Sequence, residues 1–175
     1  MRHFLTILKV MLAVVASLGS GHARAEPVPE YQMKAAYLYN LATFTTWPAQ
    51  SSGTVRLCVL GQDRFGGALE KLTRSSPSGV KISLTYLSGM QDARGCQIMF
   101  IDASERDNAQ AVLKQLEGLP ILTVTDSPEL FQMGTIVGLF LENRRLSFDV
   151  NYQIAQSASL SMSSKLLRVA RNVNQ

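Results

Sequence analysis

Three aspartates could do chemistry, because each falls just after an apolar run: Asp63 after VRLCVL, Asp102 after CQIMFI and Asp126 after ILTV. If those runs are strands of one parallel sheet, the three carboxylates gather at its carboxyl edge. A divalent cation or acid/base chemistry would be sited there. Each position also suits a helix cap or turn, where Asp is favoured for its backbone hydrogen bonds alone. The stretch VLGQDRFGG leaves a strand and opens a helix, as anion-binding loops do. It is neither GxGxxG nor GxxxxGK[ST], so a tight turn with a capped helix is the plainer reading, and no cofactor is implied. The serines at 157, 159, 161, 163 and 164 beside Lys165 suggest a Ser-Lys pair. The SSK order lacks the SxxK spacing that brings both side chains to one helical face, so Ser163 or Ser164 reads as an N-cap instead.

What is missing narrows the chemistry further. The two histidines are His3 and His22, and both lie in an N-terminal segment with the features of an export signal. Arg2, His3 and Lys9 make a basic start, Val10 to Leu18 a short apolar core, and Ala23-Arg24-Ala25 a small-x-small cleavage site. The apolar run is too short for a stop-transfer helix. A processed chain beginning near Glu26 would carry no imidazole, which excludes a Ser-His-Asp centre, a His-ligated metal and a His pH switch. Losing Arg2, Lys9 and Arg24 also lowers the basic count from 17 to 14 against 13 acidic residues. The apparent basicity therefore belongs largely to the leader, and nucleic acid is not an expected partner. The expected destination is the periplasm.

Cys58 and Cys96 are the only cysteines. In an oxidising compartment one pair without CxxC spacing reads as a structural disulfide, and two buried thiols are the alternative.

The elements that must position these residues follow from pattern. YQMKAAYLYNLATFTTWP, residues 31–48, predicts a helix that is apolar on nearly every side, with Lys34 its single charge. Packing one face on the sheet and the other against the last helix would cover it. A partly exposed stripe carrying Tyr37, Phe44 and Trp47 would instead dock a partner. Strands are predicted at Val55–Leu60, Lys81–Leu87, Cys96–Ile101 and Ile121–Val124. Helices are predicted from Asp63 to Leu72, after Ser104 (with Ala109, Val112, Leu113 and Leu116 buried) and from Pro128. Thr135–Leu141 and Leu146–Val150 read as a hairpin turning at ENRR. Alternation in its second strand predicts that Ser147 and Asp149 face water. A last helix is expected from Ser164 through SKLLRVARNV, and Arg144, Arg145, Arg168 and Arg171 read as solvated charges or partner contacts. The fold class is α/β: one domain over 26–175, a mainly parallel sheet covered by helices on both faces, plus the hairpin.

The segments AAYLYNLATFTTWP, LCVLGQDRFG, CQIMFID, ILTVTD, MGTIVGLFLENRRLSFDVN and LSMSSKLLRVA occur in the order seen in YfiR-like proteins, and the chain resembles that family along its whole processed length. The Trp-Pro, Phe-x-x-Asn (Phe148, Asn151) and Ser-Lys-Leu-Leu elements carry the resemblance. Two departures stand out: Gln97 replaces a frequent His after the second cysteine, and a second cysteine pair near the hairpin is absent. Redox control through that second pair is therefore not expected. The resemblance implies a non-enzymatic periplasmic protein without metal or cofactor. It would bind the periplasmic part of an inner-membrane diguanylate cyclase and repress it, with an outer-membrane lipoprotein as a second partner. A small-ligand module feeding another receptor or sensor kinase is the alternative, and homodimerisation is open. Candidate contacts are Tyr37, Phe44, Trp47, Asp126, Phe148, Asn151, Lys165 and Arg168.

Overall fold

The computed structural model describes residues 29–48, 53–75, 77 and 79–174. The leader and its cleavage site lie outside the described residues. Among the described residues no helix is long and apolar enough to cross a membrane.

The chain runs α1 (Glu30–Phe44), β1 (Thr45–Thr46), β2 (Thr54–Leu60), α2 (Ala68–Ser75), β3 (Lys81–Leu87) and β4 (Ile98–Ile101). It continues through α3 (Ala109–Leu116), β5 (Leu122–Thr125), α4 (Pro128–Gln132), β6 (Val137–Glu142), β7 (Arg145–Asn151), α5 (Tyr152–Ser157), β8 (Ser161–Met162), α6 (Ser164–Leu167) and β9 (Asn172–Asn174). Seven strands form one sheet in the order β3-β2-β4-β5-β6-β7-β9, and β1 pairs with β8 separately. β3, β2, β4, β5 and β6 are parallel; β7 returns antiparallel to β6, and β9 lies parallel to β7. The first two long strands are swapped in space, so the order reverses between β2 and β4, as in doubly wound sheets.

Side-chain alternation divides the core between the two faces. Val55, Leu57 and Val59 join Phe100, Val124, Leu139 and Phe148 beneath α1 and α2. Cys58 and Leu60 join Met99, Ile101, Val112, Leu116 and Leu130 beneath α3 and α4. Both faces of the central strands are buried, which suits the wholly apolar IMFI of β4, while in β5 the hydroxyls of the buried Thr123 and Thr125 are satisfied internally, by Ile136 N and Ile101 O. On the α3 side Cys58 and Cys96 are bridged with their Cα atoms 5.9 Å apart, within normal bridging range.

Several boundaries differ from the sequence reading. Asp63 does not cap α2: its Oδ1 accepts from Phe65 N at 2.8 Å in a local turn. Gly66 and Gly67 then take φ of +54° and +84°, which no helix tolerates, so α2 starts at Ala68. Ser104 is not the cap of its helix either; Asp102 accepts from Ser104 N at 2.9 Å and opens a 3-10 turn over Ala103–Asn108 before α3. Leu113 is only half-buried. Cys96 precedes its strand, closing a 3-10 turn at Met90–Gly95. The hairpin turns through Asn143 and Arg144, both at positive φ, the two-residue geometry that matches strand twist.

The last helix is the largest difference. α6 is a single turn, and RNVN becomes β9 instead. Arg171 N donates to Phe148 O at 2.8 Å, while its guanidinium grips Asp149 at 2.9 and 2.7 Å and also pairs with Glu142. A strand beside β7 thus satisfies more polar groups than two further helical turns in solvent. The same contact overturns two expectations. Asp149 is buried rather than facing water, and Arg171 is tied down rather than freely solvated.

Candidate functional site

The carboxyl edge of the parallel strands is occupied by the protein's own groups. At the switch point between β2 and β4, Asp102 is fully buried and accepts Arg64 Nε at 2.9 Å as well as Ser104 N. Burial alone would raise this carboxyl. The hydrogen bonds from Ser104 and Arg64 outweigh it and hold the group below its ordinary 3.8. Gly61, at φ +91°, packs so tightly that a Cβ there would lie 2.7 Å from Ser104 Oγ and 3.1 Å from Asp102 Cβ. The Ser104 hydroxyl itself accepts from Gln62 N at 3.0 Å. Asp63 is held in its turn, so the row of aspartates does not converge. Among the described residues no group of three or more metal-ligating side chains comes together.

Asp126 belongs to a different constellation. Lys34, only 3% exposed on α1, donates to Asp126 Oδ2 at 2.6 Å and also pairs with Glu30. Tyr31 Oη donates to the same carboxylate oxygen at 2.9 Å. Desolvation first, and the adjoining Asp126 carboxylate second, push the Tyr31 phenol well above its ordinary value. Lys34 and Asp126 line a cleft of about 690 Å3 together with Arg171, Glu142, Phe131 and Phe140.

A second recess lies on the outer side of α1. Tyr37, Asn40, Leu41 and Phe44 of α1 face Phe148 of β7, Lys165 and Leu166 of α6, and Val169, around a groove of about 380 Å3. Local rules position each part. Ser163 caps α6, its hydroxyl accepting from Lys165 N at 3.2 Å, and Ser163 N donates to Phe44 O, pinning α6 to the end of α1. Tyr37 Oη donates to Leu146 O at 2.8 Å and its ring meets Phe148 edge-on at 5.9 Å. Phe44 at 38% and Val169 at 71% exposure leave apolar surface in contact with water. Lys165 and Arg168 are the exposed cations beside it.

Four of the residues singled out from sequence, Tyr37, Phe44, Phe148 and Lys165, therefore line one groove, and Arg168 lies on the same short segment. The remaining three are elsewhere. Trp47 is buried, its indole donating to Gln97 O at 3.1 Å. Asn151 donates to Thr135 O at 2.7 Å, fastening the end of β7 to the loop before β6. Asp126 lies in the other cleft. Val169 was missed because a lone Val in LLRVARNV reads as the buried face of a helix. Lys34 carried a usable signal, a single charge within an otherwise apolar helix.

The α1 helix is covered by the sheet beneath it, α2 on one flank and the one-turn α6 on the other. These features define a three-layer α/β domain whose sheet-edge acids are paired internally and whose clefts include an apolar groove beside the one-turn α6. The sequence matches the YfiR/HmsC-like family over residues 31–171, and the chain belongs to that family. Among solved structures it resembles a conserved domain protein of Vibrio cholerae O1 biovar El Tor (TM-score 0.53, 7% identity, 85% of this chain and 62% of that one). It also resembles an ABC domain in complex with L-Trp from Streptococcus pneumoniae (TM-score 0.54, 9% identity, 82% and 60%). The chain thus spans about three-fifths of the length of these two proteins, and the likeness is one of fold.

Proposed function

We propose that this protein is a periplasmic, non-enzymatic regulator that binds the periplasmic part of an inner-membrane diguanylate cyclase and represses cyclic di-GMP synthesis. Membership of the YfiR/HmsC-like family, regulatory rather than catalytic in character, is the observation that carries the reading. The groove between α1 and α6 supports it by offering apolar surface framed by Tyr37, Phe44, Lys165 and Val169. Repression then works by population shift, the regulator binding the cyclase's inactive state more tightly than its active one. An outer-membrane lipoprotein that captures the same surface relieves it. The test is deletion of the gene followed by complementation. Cyclic di-GMP rises on deletion and returns with the wild-type gene. An unchanged level, with no cyclase cross-linked to the regulator in the periplasm, refutes the proposal.

A second reading, a small-ligand module feeding another receptor, draws on the cleft beside Lys34 and Asp126. Thermal-shift screening of the purified protein against periplasmic metabolites tests it. Stabilisation that disappears in Asp126→Asn supports it, and a flat screen removes it.

A further inference from the structure

The switch point of the sheet carries a second feature besides the Asp102–Arg64 pair. Beside α3 the strand ends leave a crevice of about 660 Å3, a volume usual for small-molecule sites. Leu60 ends β2, Leu87 ends β3, and Ser104 stands in the turn after β4; all three line it. In doubly wound sheets ligands bind outside the carboxyl ends of the strands where the order reverses, and this crevice lies there. Its frame is fixed. Ser104 Oγ accepts from Gln62 N at 3.0 Å, tying the loop after β2 to the turn after β4. No lysine or arginine is among the lining residues, and Glu105 is their one charged group. The side chains of Gln62, Ser88, Asn108 and Gln115 also line it, and among the described residues none of the four is hydrogen-bonded to the protein. Asn108, Ala111 and Gln115 follow one another at helical spacing along α3. An amide thus stands at each end of one face, with the short Ala111 side chain leaving room between them.

We propose that this crevice binds a neutral, polyhydroxylated ligand, a mono- or disaccharide. Primary amides and hydroxyls both donate and accept, as the neighbouring hydroxyls of a sugar do. The Glu105 carboxylate only accepts, and its two oxygens can take the protons of adjacent sugar hydroxyls. Leu60, Leu87 and Val112, all buried, add apolar surface suited to the C–H face of a pyranose ring. A phosphate or carboxylate ligand would need a cation that the lining lacks, and Glu105 would repel it. The crevice shares no lining residue with the cleft beside Lys34 or with the groove between α1 and α6. The inference therefore stands independently of the regulatory function and of a ligand at Lys34.

Amide NMR of the isotope-labelled protein, purified as the cell processes it, tests this. Glucose, N-acetylglucosamine and maltose are titrated separately to about 10 mM, tenfold above a millimolar Kd, with inorganic phosphate and spermidine as charged controls. At least one sugar should shift the amides of Gly61, Gly89 and Asn108 saturably, while those of Phe131 and Val169 stay in place. Ala111→Phe fills the crevice from an exposed helical position and should weaken that binding by about tenfold or more. No sugar-dependent shift at Gly61, Gly89 and Asn108, or a larger one with phosphate or spermidine than with any sugar, overturns the proposal. So does a folded Ala111→Phe variant that binds as well as the wild type. If Ala111→Phe fails to fold, Gln115→Ala, also at an exposed position, decides: affinity should fall about threefold or more, and unchanged affinity overturns the proposal.

Discussion

Lys34 Nζ lies 2.6 Å from Asp126 Oδ2, so a buried ion pair joins the first helix to the loop after β5, 92 residues further along the chain. A buried pair stabilises little by itself, but loss of one partner strands the other in a low dielectric. Lys34→Met should therefore destabilise by about 3 kcal/mol, read from urea unfolding. Asp126→Asn should cost less, because Lys34 keeps Glu30 as a partner. Restored stability in the double variant, relative to Lys34→Met, would establish that the stranded Asp126 carboxylate is the source of the loss.

The Arg171–Asp149 pair gives a pH dependence. Burial would raise the Asp149 carboxyl, but hydrogen bonds from Arg171 and Asn172 outweigh it and hold the group below 3.8. Asp102 is depressed in the same direction. A carboxyl with a lowered folded-state pKa takes up its proton more readily when unfolded. Its stabilisation is thus present above about pH 4 and lost as pH falls through the unfolded and then the folded value. Acid unfolding followed by circular dichroism should begin below pH 4 in the wild type and at higher pH in Arg171→Ala.

The Cys58–Cys96 bridge closes a 38-residue separation. On the chain-entropy account it contributes about 4 kcal/mol, chiefly by restricting the unfolded chain. Peptide mapping without reduction should find these two cysteines joined. The double Cys→Ala variant should lose stability of that order, and the double Cys→Ser variant more, because both positions are buried in an apolar cluster where a hydroxyl must find a partner.

Gly61 is constrained twice, by its φ of +91° and by Ser104 Oγ where a Cβ would stand. Gly61→Ala should destabilise by about 2 kcal/mol, from backbone strain and displacement of Ser104. Gly67→Ala, with open space around it, should cost less in the same assay.

The groove makes the sharpest functional prediction. Val169→Asp and Phe44→Glu change exposed surface and should leave the melting temperature nearly unchanged, within the roughly 0.5 kcal/mol typical of surface substitutions. Both should abolish repression in the complementation assay. Full repression by either variant would move the docking surface elsewhere.

Much of the architecture was legible in the residues, for reasons that are local. CVL, IMFI and ILTV are near-continuous apolar runs because both sheet faces are covered, and Ser127-Pro128 marks a helix start through capping and a fixed φ. The family could also be read, since its elements recur in order. Tertiary structure alone decided where charge is spent. Asp63, Asp102 and Asp126 look equivalent as residues following strands, yet they serve a turn, an Arg64 pair and a Lys34 pair. The ion-pair partners of Asp102 and Asp126 lie 38 and 92 residues away, so neighbouring sequence does not reveal them. RNVN failed as a helix for the same reason. Intrinsic preference there is weak, and Asp149 together with the open side of β7, distant in sequence, fixed it as a strand.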